Sequence, residues 1–314
     1  MTYDQIAPLL PEFFLPLLQE HYAIADIQRI VEGCGATRAT TLRANTLLSS
    51  RDEIAAALDA ADLTWESVPW YADAFVLPSA SPKDLWDLDA YKAGKMYVQS
   101  LSSMLPPLVM EPAAGLDILD MCAAPGGKTC QMAALGGPQT HITACEMHAP
   151  RAEKLEYNLA KQGARNIMVM RTDARRLDDF FSFDRVLLDA PCSGSGTLRA
   201  TDPKMPKRFT PALIQKSLKS QRALLTKALQ VTKPGGFCVY STCSILPQEN
   251  HLMVQDCLKA LRKKGSYSIE PIPLADDLQR AGAPLLPCSL EGALCMCPTD
   301  RFEGFFVAKI KRLA

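Results

Sequence analysis

No apolar run in these 314 residues is long enough to cross a bilayer, which excludes a membrane-spanning helix and any membrane partner that needs one. The opening Met1-Thr2-Tyr3-Asp4 lacks a basic n-region, so no secretory leader is expected and a cytoplasmic location is. Net charge is absent as well, with 34 Lys and Arg against 34 Asp and Glu. The four histidines, His21, His141, His148 and His251, do not cluster and offer no histidine-based triad. Two nucleotide signatures are incomplete. Gly-x-Gly-x-x-Gly is missing, and a phosphate loop ending in Gly127-Lys128-Thr129 needs a glycine at position 122, where Cys122 stands. Repeats and low-complexity tracts are missing too.

What is present starts with cysteine. The eleven are odd in number and irregularly spaced, and several sit inside apolar runs, so reduced thiols are expected rather than a disulfide framework. Cys130, Cys145, Cys238 and Cys257 read as small core hydrophobes. Cys288, Cys295 and Cys297 cluster near the end without the paired spacing or nearby histidine of a zinc site, so no metal is expected. Charge is uneven despite its zero sum. Residues 1–100 hold 7 basic and 14 acidic side chains, the remainder 27 and 20. Arg199, Lys204, Lys207, Arg208, Lys216, Lys219 and Arg222 lie in one segment opposed only by Asp202, which suits a polyanion or, equally, a solvated helix face.

Hydrophobic spacing divides the chain near residue 95. Helices are predicted over 9–20, 24–32 and 54–61, the last begun by the capping pattern Ser49-Ser50-Arg51-Asp52-Glu53. Strands are predicted over 40–46, 63–69 and 75–78. Residues 1–95 therefore read as helices plus a small α+β, RRM-like module that either positions RNA or packs on its neighbour. Residues 96–314 alternate: strands at 116–121, 142–145, 167–170, 185–188 and 237–241 enclose helices at 127–134, 149–162, 211–231 and 248–263, with a late strand at 302–310. That rhythm predicts an α/β, Rossmann-like domain with a mostly parallel sheet and an antiparallel edge strand. Residues 79–84 and 271–287 read as proline-rich connections.

In such a sheet ligands gather at the carboxyl ends of strands. The turn Cys122-Ala123-Ala124-Pro125-Gly126-Gly127-Lys128 follows the first strand and opens a helix. Glu146 ends the second strand, at a distance that suits a ribose diol; Asp173 and Asp189 follow the third and fourth. With no phosphate loop, S-adenosylmethionine fits this ring of acids better than a nucleotide does. Two cysteines, Cys192 in Asp189-Ala190-Pro191-Cys192 and Cys243 in Ser241-Thr242-Cys243, fall just past two strands. A thiolate that adds to carbon 6 of cytosine makes carbon 5 nucleophilic enough to take a methyl group, and a second thiol can assist release. Lys128 supplies positive charge, and Asp189 can bond the edge of the base.

Residues 121–129, 187–192 and 240–243 with Glu249-Asn250, together with 42–47, 94–99, Asp202-Pro203, 233–236 and 304–307, resemble the Nop/Sun (RsmB-like) family of RNA cytosine-5 methyltransferases. The resemblance covers about 40–310. It implies an S-adenosylmethionine-dependent RNA (cytosine-5-)-methyltransferase acting on a single-stranded or flipped cytosine of ribosomal or transfer RNA. Cys243 would be the nucleophile and Cys192 the residue assisting release. Cys122, Ala123, Ala124, Pro125, Gly126, Gly127, Lys128, Glu146, Arg151, Asp173 and Asp189 would bind the cofactor, with Lys128 and Asp189 also facing the base. The sequence departs from the family pattern at Glu146, where aspartate is common, and at 199–203, which lacks paired arginines before Asp202-Pro203. No additional RNA-binding domain is recognised, and a monomer is the simpler expectation. Two alternatives stay open: an RNA-binding assembly factor that keeps the fold, and a methyltransferase with another acceptor.

Overall fold

Strand β1 (Thr40–Ala44) opens a four-stranded antiparallel sheet completed by β2 (Glu66–Ser67), β3 (Ala74–Leu77) and β4 (Met96–Val98), in the order β2-β3-β1-β4. The computed structural model describes residues 1–263 and 265–314. With helix Arg51–Asp59 after β1 and two short helices before β4, this is a ferredoxin-like βαββαβ unit. The expected cap forms at the first helix: Ser50 Oγ accepts from the Glu53 amide at 3.2 Å, while the Glu53 carboxylate accepts from the Ser50 amide. Leu42, Ala44, Ile54, Leu58, Phe75 and Leu77 make its own small core.

The structure changes two features of the expected division. Met96–Val98 pairs with β1, so a boundary after residue 95 cuts a strand from its sheet. The first helices do not belong to this unit either. Ile6, Phe14, Leu18 and Ile30 share a core with Val186, Tyr240 and Phe306 of the second sheet. Helical spacing reveals a buried face but not which sheet covers it. The other face of the small sheet is also covered: Ala74 and Val76 pack with Leu101, Met104 and Phe302, and Arg43 is fully buried. The sheet face on which an RRM-like unit would stack RNA is therefore occupied by the rest of the chain.

The larger sheet contains β5 (Asp117–Asp120), β6 (His141–Cys145), β7 (Ile167–Met170), β8 (Phe183–Asp189), β9 (Thr232–Thr242), β10 (Tyr267–Glu270), β11 (Leu294–Met296) and β12 (Phe305–Arg312). Its order is β10-β12-β9-β8-β5-β6-β7, with β11 paired on β12. The five strands β5–β9 are parallel, and β12 runs antiparallel beside β9. This is the predicted Rossmann-like arrangement. Side-chain alternation splits its core: Val186, Leu188, Cys238 and Tyr240 face the helix Pro211–Val231 and the first helices, while Leu187, Phe237, Val239 and Val307 face the helix Leu101–Val109 and the small unit.

Helix Leu101–Val109 contains Pro106 and Pro107 and was not visible as a periodic pattern. The expected helix over 9–20 is broken at Pro11 into a short turn and Phe14–Gln19. The stretch 271–287 holds a helix, Leu274–Arg280. Among the described residues no helix is long and apolar enough to cross a membrane, and all eleven cysteines are unpaired.

Candidate active site

Parallel pairing of β8 with β9 sets Asp189 opposite Ser241, so the loops that leave these strands begin side by side. Cys192 lies three residues beyond β8 and Cys243 one beyond β9. Their sulfurs come within 3.1 Å. That contact raises the Cys192 thiol well above its ordinary range. The hydrogen bond to Cys243 is the first cause, burial the second, and the charges of Cys243 and Glu249 add to it. Cys192 therefore favours its protonated form.

In the cavity that Cys243 also lines, the carboxylate of Asp189 is held from two sides. Ser241 Oγ donates to Oδ1 at 2.9 Å, and Lys128 Nζ donates to Oδ2 at 2.8 Å. Burial on its own would lower the lysine, but the charge and hydrogen bond of Asp189, followed by Cys243 and Asp120, outweigh it and raise the group. Lys128 therefore stays an ammonium, and its charge favours the thiolate form of a sulfur nearby. Its Nζ also sits 5.8 Å above the Phe305 ring. Asp120, fully buried at the end of β5, is pushed up to about 6 by burial, although the Thr129 hydroxyl donates to it at 2.7 Å.

The loop after β5 turns at Gly126, whose φ of +109° lies in the left-handed region and would strain any residue with a Cβ. The helix Gly127–Gly136 begins there. Arg151 braces this loop: Nη2 donates to the Ala124 carbonyl at 2.9 Å, and Nη1 pairs with Glu146 at 3.2 Å. The Glu146 carboxylate is 4% exposed and also accepts from the His148 amide. Asp173 is gripped by its own neighbour Arg175, whose hydrogen bonds hold it below the usual carboxylate range.

Two cavities flank the loop and meet at Cys122. One, of about 550 Å³, is lined by Met121, Cys145, Glu146, Arg151, Asp173, Cys192, Lys216 and Lys219 among others. The other, of about 360 Å³, is lined by Tyr97, Gln99, Lys128, Asp189, Cys243, Glu303 and Phe305 among others. The residues expected to form one cofactor set are therefore divided. Glu146, Arg151 and Asp173 line the first cavity, whereas Ala123, Ala124, Pro125, Gly127, Lys128 and Asp189 line the second, and Gly126 lines neither. The loop runs between the two spaces, so adjacency in sequence does not place its members on one side. Cys192 opens onto the first cavity and Cys243 onto the second. Burial first, then the charges of Asp120, Asp189 and Glu146, push the Cys122 thiol well up, so it is a neutral wall residue.

Sequence reasoning assigned no role to Tyr97, Gln99, Ser100, Thr197, Glu303 or Phe305, which complete the second cavity. They come from three separate stretches of chain. The only signal available was the family pattern at 94–99 and 304–307. The basic segment is partly neutralised, with Arg222 bound to Asp256 at 2.9 Å and Arg208 3.7 Å from Asp202. Lys216 and Lys219 nevertheless reach the rim of the first cavity.

The chain is similar to several known proteins. Residues 107–311 match the family described as 16S rRNA methyltransferase RsmB/F, and residues 10–83 match an RsmF/B-like ferredoxin-like domain. The chain is 34% identical over 308 residues to a ribosomal RNA small subunit methyltransferase F of Shewanella amazonensis, aligning 96% of itself with 64% of that relative. It thus spans less than two thirds of the length of that curated relative. Among solved structures, a methyltransferase homolog protein from Pyrococcus horikoshii is 29% identical with a TM-score of 0.81, covering 99% of this chain and 98% of that one. NSun6 from the same organism, solved with SFG, gives a TM-score of 0.82 at 22% identity, covering 97% and 98%, and speaks for the fold.

Proposed function

The chain belongs to the 16S rRNA methyltransferase RsmB/F family, and from that premise we propose that it methylates carbon 5 of a cytosine in RNA, with small-subunit ribosomal RNA as the substrate class. The observation that carries the reading is the pair of sulfurs 3.1 Å apart, just past the ends of adjoining strands, with Cys243 lining the same cavity as the Asp189–Lys128 pair.

The first cavity suits S-adenosylmethionine. Glu146 and Asp173 accept hydrogen bonds of the kind a ribose diol offers, while Met121 and Leu224 supply apolar walls for a base. When bound, the cofactor supplies an electrophilic methyl group on a sulfonium centre. In the second cavity Asp189 holds the edge of the pyrimidine and Lys128 keeps positive charge beside it. Cys243 adds to carbon 6 through its thiolate, forming a carbon–sulfur bond and moving electron density to carbon 5. After methylation a base removes the carbon 5 proton, the electron pair re-forms the ring double bond, and the Cys243 sulfur leaves. Cys192 holds a proton within reach of that departing sulfur. The base must be out of its stack for this chemistry, so a loop or an everted nucleotide is the target. Lys216 and Lys219 place positive charge along the approach, where RNA phosphates can dock. Reduced thiols agree with action in the cytoplasm.

Incubation with methyl-labelled S-adenosylmethionine and small-subunit ribosomal RNA, followed by nucleoside digestion, should return the label as 5-methylcytidine. Label in another nucleoside, or label that resists ribonuclease, overturns the assignment. A narrower consequence concerns Glu146. Its replacement by alanine should weaken S-adenosylhomocysteine binding by roughly tenfold to a hundredfold, the worth of charge-assisted hydrogen bonds to a ligand. Titration calorimetry checks this, and unchanged affinity would remove Glu146 from the cofactor site.

A further inference from the structure

The residue that follows each reacting cysteine is tied to the same carboxylate. Glu249 is fully buried, six positions past Cys243. Its Oε1 accepts from the Ser193 amide at 2.8 Å and from Gln221 Nε2 at 3.1 Å. Its Oε2 accepts from Ser193 Oγ at 2.5 Å and from Ser244 Oγ at 2.6 Å. Among the described residues Glu249 has no lysine, arginine or histidine partner within ion-pair distance, and four neutral donors satisfy its two buried oxygens. Its own backbone is fixed in turn, because the Tyr240 hydroxyl donates to the Glu249 carbonyl at 2.6 Å. Asn250 braces the Cys243 loop from a second direction. It accepts from Thr242 Oγ1 at 2.6 Å and donates to the Ser244 carbonyl at 2.9 Å.

We propose that Glu249 is a positioning residue for the thiol pair: its carboxylate joins the Cys192 loop to the Cys243 loop and so fixes the separation of the two sulfurs. Glu249 lines neither cavity, so it acts on substrate only through the cysteines. Strand pairing between β8 and β9 brings the loops side by side, but it ends at Asp189 and Ser241. Beyond that point Ser193 and Ser244 converge on one buried acceptor, and this convergence continues the register into the loops. A reaction in which one sulfur bonds carbon while the other holds a proton needs such a fixed spacing, since small misplacements of reacting groups cost large factors in rate. The assignment builds on the proposed thiol chemistry, but its test is independent of it.

Diamide, a diazene oxidant, converts two neighbouring thiols to a disulfide while its N=N bond takes up both hydrogens as a hydrazine. In the full-length protein, without RNA or cofactor, the Cys192–Cys243 cross-link should form readily and be identifiable by peptide mass. Glu249→Ala should slow that cross-link by about tenfold or more while S-adenosylhomocysteine affinity stays within about twofold, a split that general loosening would not give. Glu249→Gln should retain most of the rate, because one end of the amide still accepts from Ser193 N–H and Gln221 while the other donates to the two hydroxyls. Ser193→Ala and Ser244→Ala each remove one arm and should slow cross-linking by about threefold, within the range of one lost hydrogen bond. A folded Glu249→Ala protein that cross-links at the native rate overturns the proposal. If that variant does not fold, native rates in both serine variants overturn it equally. Failure of methyl transfer in the native protein, with the cross-linking pattern intact, would instead count against the thiol chemistry and leave the positioning role standing.

Discussion

Cys243→Ala should abolish methyl transfer to RNA, with turnover reduced by at least about 10³-fold, as loss of a covalent nucleophile does elsewhere. The loss should appear in kcat. Cys243 lines the cavity that contains Asp189 and Lys128, not the one that contains Glu146, so cofactor affinity should stay within about twofold. Lys128 and Asp189 remain in place, since neither side chain depends on the thiol for its 2.8 Å contact. The measurement is single-turnover transfer of labelled methyl to small-subunit ribosomal RNA, alongside calorimetric titration with S-adenosylhomocysteine. Native turnover in this variant would mean that another group attacks the base, and the pairing of the two sulfurs would need a different explanation.

Cys192→Ala should give the opposite signature: a protein–RNA adduct that accumulates. Cys192 stands 3.1 Å from Cys243 and favours its protonated form because the Cys243 contact, then burial, push its thiol well up. Removing it deprives the departing Cys243 sulfur of its nearest proton donor while leaving attack intact. The adduct should form only with the methyl donor present, survive denaturing electrophoresis and disappear on ribonuclease treatment. Steady-state turnover should fall by about a hundredfold, a typical value for loss of one proton-transfer group. A variant that turns over normally and shows no adduct would remove Cys192 from the release step. The double variant Cys192→Ala/Cys243→Ala should form no adduct at all, which assigns the covalent bond to Cys243.

The two predictions rest on features that differed in how readable they were. The parallel strands β5–β9 were visible as short apolar runs at regular intervals, the inner ones because strands covered on both faces carry little else. The cap at Ser50 was visible because its two hydrogen bonds are local. β4, β10 and β11 were not, since these short segments mix polar with apolar residues and carry no continuous apolar run. Helix Leu101–Val109 was hidden by its prolines. The boundary near residue 95 failed because β4 is recruited by β1 across more than fifty intervening residues, and the first helices were grouped with the small unit although they cover the large sheet.

Within the site, the sequence alone established which groups are available. Two cysteines past two strands, a glycine turn and acids at strand ends are local facts, and local chemistry suffices to propose a thiolate reaction. What depended on tertiary structure was their partition. The loop 122–128 separates two cavities instead of lining one, and Cys122 touches both. Cys192 and Cys243, fifty-one residues apart, meet at 3.1 Å where β8 and β9 are neighbours in register and where Glu249, together with the Gly196–Cys243 and Ser195–Ser244 hydrogen bonds, joins the loops beyond them. Spacing along a chain encodes contacts one turn or one strand away. Distances between groups brought together by sheet order are set by packing, and packing exists only once the whole core has formed.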